Sequence, residues 1–590
     1  MVATSSEKNS IHHEPAINPR VQYVLLMFFS VAIGVAAAMG AFVFRWLIEQ
    51  FQTLFWAEGS TFLDRVGDSP WWLVLLLPCL GGLAAGVIIN RWAPEAKGPG
   101  VPEVIKAIAV RGGVIRHRIT FLKALVTSLL IGCGASVGRE GPVVQIGASL
   151  GSSAARLFRL DRSMLPVCVA SGAAAGISAT FNAPLTGTLF AIEILLLDTE
   201  MSYVSHIIVS SITASALSKF FWGDFPTFDA PKFIFSNFGE LIIFFILGIM
   251  SGLVSLAFVH MIRFMENIFM RIPVPEWVKP GIGGLLLGIL GLQVPGILGV
   301  GYEVVDMGME GVLPLELAVI ILICKMTATS LCIGSGMSGG IFAPSLVLGA
   351  ALGVSVSSTM NMIFPQLALT HGQYALVGMG TVVAGTTLAP ITAVLTVFEL
   401  TYSYKIILPM MVGCITSALV VRLLKGYSVY EAKLLRQGIN ILRGHDESVL
   451  VNVSVDEVMD TEFDYLHTSD HLEKAASMVT DSPFPHFPVL DDDGRVAGIL
   501  TLRDMRSWLK GNHDTGGAPA IVDTLMVRTV VSVNTDSNLK ETLMLFERTG
   551  VSFVPVIKSD GKIAGIIKSR EAFRIFREKR YKNRILSSSL

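Results

Sequence analysis

The chain has 590 residues, 52% apolar and 15% charged, with mean hydropathy +0.62 and net charge −1. That balance excludes a disordered, collagenous or disulfide-rich secreted chain, and no basic field argues for nucleic acid. The charge is uneven: 44 of the 91 Asp, Glu, Lys and Arg residues lie in the last 165 positions, from Gly426, so a membrane part precedes a soluble tail.

The N-terminal segment, Met1 to Arg20, is polar and lacks the apolar region of a secretory signal, so residues 1–20 read as a cytosolic segment. His13-Glu14 begins like a metalloprotease motif, but no His follows at the required spacing, and no phosphate-binding Walker pattern occurs. Apolar stretches follow at 22–46, 71–90, 120–134, 165–197, 239–262, 277–294, 315–334, 341–360, 373–400 and 406–424. A spanning helix needs about 20 such residues. Several stretches are shorter, and Gly132 to Pro142 and Gly334 to Pro344 are broken by Gly and Pro. Broken backbone at membrane depth is tolerated where it lines a protein-enclosed cavity. Cys79, Cys133, Cys168, Cys324, Cys332 and Cys414 all fall in this part without metal or redox spacing, as small buried hydrophobes would.

The broken stretches repeat. Lys123 to Gly134 lies on Lys325 to Gly336 at an offset of 202, with Lys, Thr, Ser, Leu, Ile and both Gly coinciding. The same offset pairs Ser136 with Ser338, Gly138 with Gly340, Pro142 with Pro344, Gly147 with Gly349 and Gly151 with Gly353. At an offset of 206, Ala183-Pro184 matches Ala389-Pro390 and Glu193 matches Glu399. The membrane part is therefore read as two related halves, and such proteins bind substrate near the midplane where broken helices meet. Gly-rich helix starts offer free N–H groups and positive dipole ends, which suit an anion; a cation site would show clustered carboxylates. Glu140, in Gly138-Arg139-Glu140-Gly141-Pro142, puts one carboxylate beside such a start. It can occupy the site, compete with the permeant anion and leave when protonated; the alternative is an ion pair with a neighbouring cation.

These residues resemble the CLC family of chloride channels and chloride/proton exchangers. The motifs are Gly98-Pro99-Gly100-Val101-Pro102, Gly138-Arg139-Glu140-Gly141-Pro142, Gly340-Ile341-Phe342-Ala343-Pro344, and Tyr430 in Tyr427-Ser428-Val429-Tyr430-Glu431. The resemblance implies anion binding by Pro99, Gly100, Val101, Gly138, Arg139, Glu140 and Gly141, by the backbone amides of Ile341 and Phe342, and by the Tyr430 hydroxyl. It makes Glu140 the gate and implies a homodimer with one pathway per subunit. Two positions depart from the commonest pattern. Pro99 stands where many members have Ser, which removes a hydroxyl and a backbone N–H. A plant branch with Pro there favours nitrate, so the carried anion is chloride or nitrate; alternatively Pro99 is a tolerated helix-start residue. Exchangers usually carry paired glutamates after Phe-x-x, and here Phe190-Ala191-Ile192-Glu193-Ile194 puts Ile194 at the inner proton position. Ile194 holds no proton, and the pairing of Glu193 with Glu399 marks Glu193 as a shared structural residue. Channel and exchanger readings both stay open.

After Tyr430 a second repeat appears, at an offset of 67: Val455-Asp456 with Val522-Asp523, Pro488-Val489 with Pro555-Val556, Asp493-Gly494 with Asp560-Gly561, and Ala497-Gly498-Ile499 with Ala564-Gly565-Ile566. The Asp-Gly pairs signal turns between strands, with helices from about Leu502 and Ser569. This resembles a tandem pair of CBS modules, which often bind adenine nucleotides such as ATP or AMP. Thr501 and Asp504 match the ribose-contacting Thr-x-x-Asp; Lys568-Ser569-Arg570-Glu571 departs from it.

The expected fold is a polytopic α-helical membrane protein built from two repeated halves, followed by a soluble α/β tandem CBS module. Residues 21–430 form the transport domain, 431–450 a linker, and 451–510 and 511–590 the two modules. The expected function is selective anion transport gated by Glu140, with no required cofactor and no enzymatic role. Membrane lipid, small anions, a second copy of the chain and adenine nucleotide are the expected partners. The rival readings are an anion/proton antiporter with an atypical inner proton path and a membrane-bound nucleotide sensor. Both termini are expected in the cytoplasm, because short cationic loops such as Arg111 to Lys123 favour that side.

Overall fold

The computed structural model describes residues 19–158, 160, 164–196, 203–223, 228, 239–424, 427–437, 439, 454–481, 486–509, 521–558 and 560–575. Residues 1–18 and most of the expected linker lie outside these. Two compact units divide the chain, Met1–Asn440 and Ile441–Leu590.

In the first unit α1 (Pro19–Phe55), α2 (Phe62–Gly67) and α3 (Trp71–Trp92) precede one half-repeat. That half contains α4 (Val101–Arg111), α5 (Arg118–Gly132), α6 (Glu140–Leu157), α7 (Leu165–Phe181), α8 (Pro184–Phe190) and α9 (Val204–Trp222). After α10 (Glu240–Arg271) and α11 (Lys279–Gln293), the order returns as α12 (Tyr302–Met309), α13 (Leu315–Ser335), α14 (Phe342–Ile363), α15 (His371–Thr387), α16 (Pro390–Thr401) and α17 (Ile407–Leu424); α18 (Val429–Arg436) ends the unit. Among the described residues, seven helices are long and apolar enough to cross a membrane. The others are the short pieces that the broken apolar stretches predict.

The repeat is a packing rule as much as a sequence match. Gly147 of α6 and Gly172 of α7 each sit where an added Cβ would strike the other's carbonyl, and Gly349 and Gly378 do the same for α14 and α15. Small residues let helix backbones touch where lipid offers no competing hydrophobic drive. The expected stretch 165–197 is two helices, because Asn182 takes a left-handed φ of 57° before Ala183-Pro184; Leu388 takes the same φ before Ala389-Pro390. Glu193 and Glu399 then serve opposite halves. The Leu185 and Thr186 amides donate to Glu399 at 2.9 and 2.6 Å, and the Ile391 and Thr392 amides donate to Glu193 at 3.3 and 2.7 Å. Each carboxylate caps the other half's short helix, satisfying orphan N–H groups at its positive end.

Lys123 corrects one expectation. It is not a loop cation: it is fully buried on α5, with its ammonium donating to the carbonyls of Ala96 and Gly98 at 2.9 and 2.8 Å.

The second unit holds two three-stranded sheets in the orders β1-β2-β3 and β4-β5-β6. β1 (Leu466–His467), β2 (His486–Leu490) and β3 (Val496–Thr501) carry α19 (Leu472–Asp481) and α20 (Leu502–Leu509). β4 (Val533–Asn534), β5 (Phe553–Ile557) and β6 (Ile563–Lys568) carry α21 (Leu539–Thr549). In each sheet the first pair is parallel and the second antiparallel, with His486 opposite Thr501 and Phe553 opposite Lys568. The segments preceding each module change places. Val455 and Val458 pack into the core with Val533, Leu539 and Val554, whereas Val522 and Met526 pack with Leu466, Phe487 and Leu500. Neither core is complete without the other module's leading segment.

Candidate anion site at the meeting of the half-repeats

Three of the glycine motifs meet through backbone hydrogen bonds. The Gly138 amide donates to Gly340 O at 2.7 Å and the Gly340 amide returns to Gly138 O at 2.6 Å. Gly98 donates to Met337 O at 3.1 Å, and Gly339 donates to Gly98 O at 3.3 Å. Side chains reinforce this junction in mirrored fashion. Thr127 Oγ1 and Ser338 Oγ lie 2.7 Å apart, and their repeat mates Thr329 Oγ1 and Ser136 Oγ lie 3.2 Å apart. The polar groups of a broken backbone are thus satisfied inside protein, as hydrocarbon requires.

From this junction α4, α6 and α14 start at Val101, Glu140 and Phe342, so three sets of orphan amides and positive helix ends converge. Glycine is needed at the centre: a Cβ on Gly141 would collide with Pro99 O, and one on Gly100 would lie 2.8 Å from Gly141 O. Glu140 is 3% exposed. Its Oε1 accepts from the Tyr302 hydroxyl at 2.7 Å and its Oε2 from the Ala343 amide at 3.2 Å. Among the described residues, then, the carboxylate is seated on a hydroxyl and a helix-start amide rather than on a cation. Arg139 packs on the tyrosine that holds the carboxylate: the guanidinium lies over the Tyr302 ring at 5.1 Å and the Phe181 ring at 6.0 Å.

Tyr430 is 2% exposed on the first turn of α18, a helix fixed by a capping box in which Ser428 and Glu431 bond each other's amides. Its neighbour Val429 shares a cavity with Pro99, Ile341, Ile333, Glu266 and Lys433. A wider cavity, lined by Lys97, Gly98, Glu103, Lys433 and Arg436, shares Glu266, Ile333 and Lys433 with the first. Together they form an approach to Pro99 and Ile341 edged with charged side chains. Ile194 is buried in a π turn, Ala191–Leu196, and Glu193 beside it is committed to capping α16.

Sequence reading missed Tyr302. A signal existed: Gly299-Val300-Gly301 repeats Gly98-Pro99-Gly100 at an offset of 201, and all four glycines have positive φ, from +61° to +91°. Lys325 holds the carbonyls of Ile297 and Gly299 at 3.0 and 2.9 Å just as Lys123 holds those of Ala96 and Gly98.

In the second unit, Thr501 and Asp504 bond each other. The Thr501 amide and hydroxyl donate to Asp504 Oδ2 at 3.0 and 2.6 Å, and the Asp504 amide donates back to Thr501 Oγ1 at 3.3 Å. Thr501 therefore caps α20, and Asp504 closes the capping box from the first turn. Burial holds the nearby His486 imidazole below its usual value, against the pull of the Asp504 charge.

The Voltage gated chloride channel family profile matches residues 81–422, and the CBS domain profile matches 455–511 and 522–581. A putative chloride channel protein, ClcB-like, of Ralstonia nicotianae is 34% identical over 70% of this chain and 97% of that protein. The H(+)/Cl(−) exchange transporter ClcA of Salmonella typhimurium is 34% identical over 70% of this chain and 88% of that protein. Among solved structures, a slow cyanobacterial Cl−/H+ antiporter superposes with a TM-score of 0.64 at 25% identity, covering 72% of this chain and 99% of that one. A eukaryotic CLC transporter shares the fold over 93% of this chain and 98% of that one, with a TM-score of 0.60 at 20% identity. With its halves joined at the glycine motifs and its tail in paired CBS sheets, the chain belongs to the voltage-gated chloride channel (CLC) family of membrane chloride transport proteins.

Proposed function

We propose that chloride crosses this chain past Glu140, which competes with the anion for helix-start donors and yields when protonated, and that transport is weakly coupled to protons or uncoupled. The observation that carries the gate is the seated carboxylate on Tyr302 and Ala343, at the point where α6 and α14 begin. Ile194 carries the second part. An apolar side chain buried in a π turn supplies no titratable group, and water is poorly held there without polar partners. Glu193 does not substitute, because its carboxylate accepts three hydrogen bonds from the start of α16.

A second reading is proton-coupled exchange by a route that bypasses Ile194. The ClcA relatives named as H(+)/Cl(−) exchange transporters favour it, as does the similarity to a Cl−/H+ antiporter at 25% identity. Pro99 leaves nitrate as a competing substrate. The chain is read as a homodimer in a lipid bilayer with both termini cytoplasmic, on the side of the cationic segment Arg111 to Arg118. Adenine nucleotide, ATP or AMP, is the regulatory ligand proposed for Thr501 and Asp504.

The deciding experiment is proton movement in reconstituted vesicles under a chloride gradient, together with the reversal potential. Uncoupled transport reverses at the chloride Nernst potential and pumps no protons. Uphill proton pumping at a fixed ratio to chloride overturns that reading in favour of exchange. Ile194→Glu introduces or strengthens proton movement if Ile194 is the block.

A further inference from the structure

We propose that Tyr302 is the latch of the gate, a positioning residue whose hydroxyl holds Glu140 in its seated place and sets how readily it leaves. This deepens, and rests on, the reading of Glu140 as the gate.

The local construction is rigid around one polar atom. Gly299 and Gly301 take φ of +61° and +91°, a turn that other residues enter only with strain, and α12 starts at Tyr302 directly after it. The buried Lys325 ammonium pins that turn by two carbonyls, and the Gly299 amide donates to Gly134 O at 3.0 Å. The Tyr302 ring is then boxed in. Phe228 meets it edge-on at 5.3 Å and the Arg139 guanidinium covers its face at 5.1 Å. This ordering delivers the hydroxyl to Glu140 Oε1 at 2.7 Å, with the Arg139 side chain as its other neighbour. A tyrosine kept only for packing has no need to deliver its hydroxyl to a buried carboxylate.

The repeat strengthens the point. At the offsets of 201 and 202, Tyr302 answers to Val101 and Glu140 to Phe342. The carboxylate comes from one half and the hydroxyl from the other, and the pair that the repeat relates to them, Phe342 and Val101, is apolar at both positions. Shared architecture therefore explains the turn and the helix start but not the hydroxyl.

A hydrogen bond to a charged group outweighs one to a neutral group. The phenol consequently favours the seated, ionised Glu140 over the protonated form that departs. Among the described residues, the titratable groups bearing on this carboxylate are Arg139 on its own helix, Tyr302 on α12 and Tyr430 on α18; α14 presents the Ala343 amide.

The test is chloride efflux from vesicles holding the full chain, followed from acidic to neutral pH, for wild type, Tyr302→Phe, Glu140→Ala and the double variant. Tyr302→Phe is expected to raise flux at neutral pH about tenfold and to move the pH of half-maximal flux upward by about one unit, the loss of one such bond. The double variant is expected to match Glu140→Ala, since the phenol has nothing left to hold; that match also shows that the altered chain folds. Replacing Tyr302 with 3,5-difluorotyrosine keeps the shape and donates more strongly, so its half-maximal pH moves downward. Tyr302→Phe superimposing on wild type while Glu140→Ala differs overturns the latch and leaves the gate standing. A double variant slower than Glu140→Ala overturns it too, since Tyr302 then acts on the anion itself. Glu140→Ala with the wild-type pH response removes the gate reading beneath both.

Discussion

Glu140→Gln isolates charge from shape at the gate. In the wild type the carboxylate accepts from the Tyr302 hydroxyl at 2.7 Å and from the Ala343 amide at 3.2 Å, and it sits at the positive start of α14. Hydrogen bonds to a charged group contribute about 1.5–3 kcal/mol, and those between neutral groups about 0.5–1.5. Glutamine keeps one acceptor oxygen for one of these donors. Its amide nitrogen then faces the other donor, a buried donor–donor contact that stabilises nothing. The seated form should lose roughly 2 kcal/mol relative to the released form, or about thirtyfold in population. Chloride then meets less competition for the helix-start amides. The expected outcome is flux that persists at neutral pH with little dependence on pH, and the loss of whatever proton coupling the wild type has. The assay is chloride efflux from vesicles across the acidic to neutral range, alongside proton uptake. A glutamine variant that keeps the wild-type pH response and coupling would refute the gate assignment, however well the geometry reads.

Three further outcomes follow from the site and the tail. Tyr430→Phe should weaken anion binding by about 0.5–1.5 kcal/mol, one hydrogen bond; unchanged chloride affinity by calorimetry counts against Tyr430 as a ligand. Pro99→Ser restores a backbone N–H and adds a hydroxyl donor beside Ile341, so the nitrate-to-chloride flux ratio should fall; an unchanged ratio shows that Pro99 does not set selectivity. Asp504→Asn is the cleaner probe of nucleotide binding, because alanine would also break the capping box with Thr501. The thermal shift of the chain with ATP or AMP should shrink in Asp504→Asn, and a wild-type chain with no such shift would make the tail a scaffold.

Much of the fold was legible because it is repeated. Lys123 and Lys325, Gly147 and Gly349, and Glu193 and Glu399 stand at matching places in both halves, and each pair proves to share one physical task. The tasks themselves were less legible. A lysine near a run of arginines reads as a cytoplasmic loop cation, yet Lys123 is buried on carbonyls, because a pinned glycine turn needs donors more than a loop needs charge. The CBS sheets followed from their Asp-Gly turns, whereas the exchange of Val455–Val458 and Val522–Met526 between cores did not. Both segments have the same local pattern, and only the assembled unit distinguishes which core each one fills. Tyr302 escaped because its half-repeat mate is a valine, and comparison by identity passes over a position where the halves diverge on purpose.

That divergence is where a transport direction can come from. Two halves related by a repeat build a symmetric cradle: paired Thr–Ser contacts, reciprocal glutamate caps and lysine-pinned turns hold the helix starts on either side of one junction. A cradle with equal sides has no reason to close on one of them. The symmetry breaks at two paired positions, where Glu140 faces its partner Tyr302 and their mates are Phe342 and Val101. One side of the junction therefore carries an exchangeable charge with a donor to hold it, and the other carries apolar side chains that neither bind a proton nor compete for an anion. Ile194 likewise places no titratable group in the buried π turn that follows α8. On the proposed reading, proton sensitivity rests on Glu140, which the Tyr302 hydroxyl holds at the junction. If the proposed gate holds, the pH response of such a chain comes through Glu140 and needs no proton path through its full depth, which is the uncoupled behaviour that the vesicle experiment tests.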